Sequence, residues 1–200
     1  STPIKSSAAS DVYKRQMKVL AFLTDGFETV EALAVIDILR RANIGVDTVS
    51  ITGNKSVKSA QNIIVEADKL IEDINCNDED VCFLPGGPGH KTYYDCDKLI
   101  DMLKVHNEAG GRIAAICAAP SVLGKLGFLK GKRATAFPGF EDMLEGAEVA
   151  PKTERVVTDG NITTSRGMGT SVDLGLELVT LIKGKELADE LAVSTQYIND

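Results

Sequence analysis

Cys117 is the residue of this chain best placed to act as a nucleophile. It closes the apolar run "RIAAIC" (112–117), and a helix marked by Pro120 follows, so the thiol sits where a strand gives way to a helix. A sharp turn there lifts a side chain out of the core, and the positive end of the next helix would lower its pKa. The same position suits a small buried core cysteine, and position alone leaves both readings open. Three other features bear on the choice. Gly86 and Gly87, in "FLPGG", make a turn free of side chains. Its N–H groups, with that of Ala118, could form an oxyanion hole, although a glycine pair can also be no more than a tight turn. Glu31 lies between Val30 and Ala32 inside an amphipathic pattern. Aimed at the strand ends it would lose solvent, its pKa would rise, and it could hold or pass a proton. Glu28, at i, i+3 on the same face, reads as a solvated cap partner.

The chain has two histidines. His90 follows "PGGPG" at the same sheet edge and is a candidate for the pocket, but the favoured reading is a solvated loop residue. His106 is placed on the polar side of a helix over 99–110, at the surface.

The elements that must position these residues alternate between strands and helices. Strands are expected at 18–24, 45–52, 63–68, 80–87 and 112–117, and a hairpin over 155–165 turns at Asp159-Gly160. Helices are expected at 28–43, 99–110, 120–129, 170–184 and 185–194. Apolar strands alternating with helices mean an α/β fold with a mostly parallel sheet, in which ligands bind beyond the carboxyl ends of the strands. That rule selects 25–31, 85–87 and 117–118.

Composition narrows the class. Of 200 residues, 44% are hydrophobic and 26% charged, as in soluble globular proteins. A net charge of −7 argues against nucleic acid or an anionic membrane as the main partner. No apolar run is long enough to span a bilayer. The four cysteines form no C-x-x-C pair, so neither a structural zinc site nor a disulfide scaffold is expected. The thiols suit a reducing cytoplasm. Residues 1–16 are polar, lack the apolar segment of a signal peptide, and read as a non-native or disordered extension before a single domain at 17–200.

Taken together and in order, "DGFETVEA", "FLPGG", "AAICAAP" and "TSRGMGTS" resemble the ThiJ/PfpI family, in particular its branch of protein deglycases and glyoxalase III enzymes. The resemblance covers essentially 17–195. It implies a flavodoxin-like three-layer α/β sandwich, related to class I glutamine amidotransferases, that commonly forms a homodimer. It implies that Cys117 is the readily oxidised nucleophile, that Glu31 hydrogen-bonds it, and that Gly87 and Ala118 are the backbone donors beside it. Arg166 matches an arginine near the pocket, although it also reads as a turn residue. The implied activity is a glutathione-independent glyoxalase or deglycase, acting without cofactor or metal on small reactive carbonyls or glycated amines. The alternative is an oxidative-stress sensor using Cys117 with little turnover.

The match fails at three places. Phe137 stands, before Pro138, where some members carry a histidine, and no histidine follows Cys117, which excludes by order the Cys…His-x-Glu triad of the amidotransferases. Ala118 replaces the histidine that other branches carry after the cysteine. Gln61 occupies the place of an arginine, which weakens the expectation of anion binding there.

Overall fold

The computed structural model describes residues 17–198; the expectation for residues 1–16 lies outside them. In chain order the elements are β1 (Lys18–Leu23), α1 (Thr29–Arg41), β2 (Gly45–Ser50), β3 (Ser56–Lys58), β4 (Ile64–Glu66), β5 (Lys69–Leu70), β6 (Val81–Leu84), α2 (Asp97–Glu108), β7 (Arg112–Ile116), α3 (Pro120–Lys125), β8 (Arg133–Ala134), β9 (Glu148–Val149), β10 (Val156–Asp159), β11 (Ile162–Ser165), α4 (Ser171–Lys183) and α5 (Lys185–Ser194). A 3₁₀ segment over Pro88–Asp95 leads into α2.

Seven strands form the main sheet in the order β10-β11-β7-β6-β1-β2-β5. All pairings are parallel except β10 with β11. This is the flavodoxin-like α/β sandwich. Strand side chains alternate between faces, and each strand therefore feeds two cores. Val19, Ala21, Leu23, Phe83, Ala114 and Ile116 pack with apolar residues of α1, α4 and α5. Leu20, Phe22, Cys82, Leu84, Ile113 and Ala115 pack with Leu99 and Leu103 of α2 and Val122 and Leu123 of α3. Burial on both faces is why these strands read as unbroken apolar runs.

The expected β segment at 63–68 divides in two. Residues 64–66 pair only with β3, whereas Lys69 and Leu70 join the main sheet beside β2. In the β10–β11 hairpin Asp159 is still paired, with Ile162, and the turn falls one residue later, on Gly160 and Asn161. No helix among the described residues is long and apolar enough to cross a membrane.

The chain leaves β1 toward β2 and later returns to the other side of β1 with β6 and β7. The order thus reverses between β1 and β6, the place where α/β sheets form a crevice. Three adjacent parallel strands end there, and their loops carry Glu28 and Glu31, Gly86 and Gly87, and Cys117.

Candidate functional site

The loops at this end are tied to one another by backbone. Glu28 N–H donates to the Gly86 carbonyl (3.0 Å) and Gly89 N–H to the Gly26 carbonyl (2.9 Å). Such close approach requires glycine. A Cβ on Gly87, where φ is +93°, would stand 2.5 Å from the Glu28 nitrogen. A Cβ on Gly86 would meet Cys117 Cβ and Glu31 Oε2, each at 2.6 Å. Gly86 is therefore the gap through which the acid and the thiol reach each other.

Glu31 is delivered by the start of α1. Glu28 occupies the N-cap and its carboxylate accepts the Glu31 N–H at 2.8 Å, satisfying a donor that the helix itself leaves free. This fixes the first turn and turns Glu31 inward, where it is 1% exposed. Its Oε2 accepts the Gly86 N–H (3.0 Å) and its carboxyl is hydrogen-bonded to the Cys117 side chain. Loss of solvent pushes the Glu31 carboxyl up to about 7, and the Glu28 charge adds to this. The bonds from Cys117, Gly86 N–H and Met168 N–H act in the opposite direction.

Cys117 follows β7 with a φ of +65°. Strand alternation would send residue 117 to the face of Ile113 and Ala115. The left-handed backbone reverses this, and the half-buried thiol packs on the α1 side, where Glu31 lies. The turn is held by Cys117 N–H to the Ser165 carbonyl (3.0 Å) and by Phe137 N–H to the Cys117 carbonyl (2.9 Å). The N–H groups of Gly87 and Ala118 both bond the sulfur.

The thiol is not the low-pKa group that its place before a helix suggests. Burial first, then the charge and hydrogen bond of Glu31, push Cys117 up to about 12, against the pull of the Gly87 and Ala118 N–H groups. α3 begins three residues later and is only six residues long, so its field is small beside a carboxylate in direct contact. The two groups titrate as a unit. While Glu31 is ionised, the thiol keeps its proton and donates it to the carboxylate. A protonated Glu31 removes the repulsion and leaves two N–H donors favouring thiolate.

Of the other sequence candidates, Arg166 lies just past β11, and its charge helps to hold the Glu141 carboxyl below its usual range, after backbone hydrogen bonds at Glu141 and Gly139. Phe137 is 46% exposed, and its ring stands over Gly167, where a Cβ would be 3.1 Å from it and 3.8 Å from Glu31 Oε1. With Met168, 55% exposed, it gives the site an apolar rim where a histidine was absent. Met168 was missed because it lies outside any amphipathic pattern. Gln61, read only as a lost charge, has a positioning part: its Oε1 accepts the Thr29 hydroxyl (2.5 Å) and Thr29 N–H (3.3 Å) at the start of α1.

Both histidines correct the sequence reading. His90 is buried, not solvated. Its Nδ1–H donates to the Gly87 carbonyl (2.9 Å), and its ring meets Phe140 edge-on at 5.4 Å. Burial lowers its pKa. His90 thus braces the glycine turn from beneath. His106 is also buried, 3% exposed, beside Cys76 and Cys82. The bond from Cys82, and then His106, bring the Cys76 thiol down to about 6 against the effect of burial. Burial alone would lower His106, but the hydrogen bond and charge of Cys76, the Arg112 carbonyl and the Asp80 charge together outweigh it and raise the imidazole.

Known proteins share this arrangement of sequence and fold. The chain is 39% identical to Protein DJ-1 homolog A of Arabidopsis thaliana across 87% of its own length and 45% of that protein, so it spans less than half of that relative. It is 28% identical to the glutathione-independent glyoxalase DJR-1.2 of Caenorhabditis elegans, covering 82% of this chain and 87% of that one. Its fold superposes on an oxidised DJ-1 of Toxoplasma gondii with a TM-score of 0.86 at 34% identity, over 92% of this chain and all of the other. The pattern of the DJ-1/PfpI family matches residues 17–181, from β1 through most of α4, and therefore takes in each loop that meets at Cys117: the chain belongs to the DJ-1/PfpI family.

Proposed function

We propose that this protein is a glutathione-independent glyoxalase that converts methylglyoxal-type carbonyls to hydroxy acids, with Cys117 as nucleophile and Glu31 as acid and base. The observation that carries the reading is the buried Glu31 carboxyl hydrogen-bonded to a thiol that also receives the Gly87 and Ala118 N–H groups. A carboxyl near 7 exchanges protons at neutral pH, as an acid–base group must. The name of the C. elegans relative supports the same chemistry.

The Cys117 sulfur adds to the aldehyde carbon, and its proton passes through Glu31 to the carbonyl oxygen, giving a hemithioacetal. The backbone N–H groups stabilise the charge developing on that oxygen. Glu31 removes the hydrogen from the thiol-bearing carbon to give an enediol and returns a proton to the neighbouring carbon, leaving a thioester. Water cleaves the thioester to lactate and free thiol. The sum is methylglyoxal plus water to lactate, with no net oxidation. Hydrolysis of early glycation adducts on amines uses the same groups, and deglycase action is the finer reading of the substrate.

A second reading is oxidation sensing. Two equivalents of hydrogen peroxide take the half-exposed thiol to sulfinate with release of two waters, and a protonated Glu31 can donate to the product. A homodimer is in keeping with the exposed apolar Val30, Ile63 and Ile64 on the flank where the β3–β4 hairpin meets α1.

The test is lactate formation from methylglyoxal by the full chain without glutathione. Turnover is expected in the unsubstituted protein and none above background in Cys117→Ser. Equal rates in both would remove Cys117 from the chemistry. No lactate, together with selective oxidation of Cys117 by peroxide, would replace the glyoxalase reading with the sensor.

A further inference from the structure

Cys76, Cys82 and His106 take no part in the chemistry at Cys117. They meet at the amino ends of β6 and β7, at the other end of the sheet. Cys76 comes from the loop before β6, Cys82 from β6 itself and His106 from the last turn of α2. Cys76 Sγ is 3.6 Å from Cys82 Sγ and 3.4 Å from His106 Nδ1, and the three donor atoms lie within 4.8 Å of one another.

The imidazole is held in one orientation. Its Nε2 lies 3.1 Å from the Arg112 carbonyl, which can only accept, so Nε2 carries a proton. Nδ1, 3.4 Å from Cys76 Sγ, is then the nitrogen that can offer a lone pair to an ion, releasing any proton it shares with that sulfur. Binding of the second ring N–H by a carbonyl is the usual outer support of a metal-ligating histidine. The fold also clears room for the ring: a Cβ on Gly111 would stand 2.2–2.4 Å from three of its atoms. No side chain other than hydrogen fits there without expelling the imidazole.

The two distances from Cys76 Sγ match those between ligands of a tetrahedral ion. With Zn–S of about 2.3 Å and Zn–N of about 2.0–2.1 Å, tetrahedral angles put two sulfurs ~3.8 Å apart and sulfur and nitrogen ~3.5 Å apart. A bonded sulfur pair would be at about 2.05 Å. Two thiolates, a neutral imidazole and a divalent ion sum to zero net charge, so a loaded site adds no net charge to the interior around the fully buried Cys82. Entry is available from a cleft of about 320 Å³ lined by Cys76, His106, Asp78, Asp101, Lys98 and Met102, which also leaves room for a water as fourth ligand. Sulfur and imidazole donors suit thiophilic ions and not magnesium or calcium.

We propose that Cys76, Cys82 and His106 form a binding site for a thiophilic divalent cation, with zinc as the reference ion. The sequence argued against a zinc site because its four cysteines form no C-x-x-C pair; Cys76 and Cys82 are six residues apart and His106 lies 24 further on. Strand pairing and the α2–β7 turn bring them together.

The experiment uses the reduced full chain under anaerobic conditions, with Co²⁺ as probe and Zn²⁺ as competitor. One equivalent of Co²⁺ is expected to give thiolate-to-cobalt charge transfer and the visible bands of a tetrahedral site, and one equivalent of Zn²⁺ to abolish them. Cys117→Ser should behave in the same way. Cys76→Ser, a change at a half-exposed loop residue, should lose the bands and the rise in melting temperature that Zn²⁺ gives the unsubstituted protein. Cys82→Val, which keeps the apolar packing, should lose both as well. Absence of cobalt–thiolate absorption in the reduced protein would overturn the proposal. So would bands that survive Cys76→Ser and vanish in Cys117→Ser.

Discussion

A carboxyl buried against a thiol gives this protein a pH response that a single substitution can remove. Glu31 titrates near 7 in the folded chain against an ordinary 4.5. Between these values Glu31 is more protonated in the folded state than in the unfolded one, so its contribution to stability falls as pH rises through the window and is level above it. The shift corresponds to roughly 3 kcal/mol. Glu31→Gln removes this dependence. Its melting temperature should exceed that of the unsubstituted protein above pH 7, and the difference should shrink toward pH 4.5. Lactate formation should drop by about 10²–10⁴ in the same variant. A melting temperature that falls equally with pH in both proteins would show that Glu31 is not the buried acid responsible. At this scale the residue types of the site were readable: Cys117, Glu31 and the glycine pair each sit in a loop where their chemistry makes sense. The burial of His106 was also readable in principle. Leu99, Leu103 and His106 recur at helical spacing, and all three are buried. Polarity alone misplaced the histidine. His90 had no such signal, because its burial depends on Phe140, fifty residues away.

At the scale of elements, Glu31 is positioned as much by a helix crossing as by its own cap. α1 packs on α4 at Gly175, where a Cβ would come within 2.9 Å of Ile38 Cβ. Ile38 lies two turns along α1 from Glu31, on the same face. Gly175→Val should therefore push α1 away from α4. Its steric cost of about 1–3 kcal/mol exceeds the helix propensity gained, under about 1 kcal/mol. A lower melting temperature is expected, and the lactate rate per folded molecule should fall too, since small displacements of a catalytic group are costly. A variant that melts earlier but keeps its full rate would show that the crossing serves stability alone. The long elements were legible because their periodicity runs over many residues. β5, β8 and β9 have two residues each, too short for any period, and exist through their neighbours.

At the scale of the whole molecule, alternation of strands and helices foretold a parallel α/β sheet, but not the order of its strands. That order depends on crossovers between segments far apart in sequence. It decides that the ends of β1, β6 and β7 share one crevice. One feature of that crevice bears on the fold's total stability. Cys117 adopts a left-handed backbone, which a residue with a Cβ enters at roughly 1–2 kcal/mol. The turn therefore stores strain, and a chain shaped for stability alone would carry glycine there. Cys117→Gly should be more stable than Cys117→Ala by about 1 kcal/mol, ~2–4 °C in melting temperature for a chain of this size, even after the extra freedom that glycine gives the unfolded state. Equal melting temperatures would mean that the surrounding bonds relieve the turn. The expected ranking makes this cysteine a standing charge on the fold, borne by every copy of the protein so that a sulfur can face a carboxyl across a glycine.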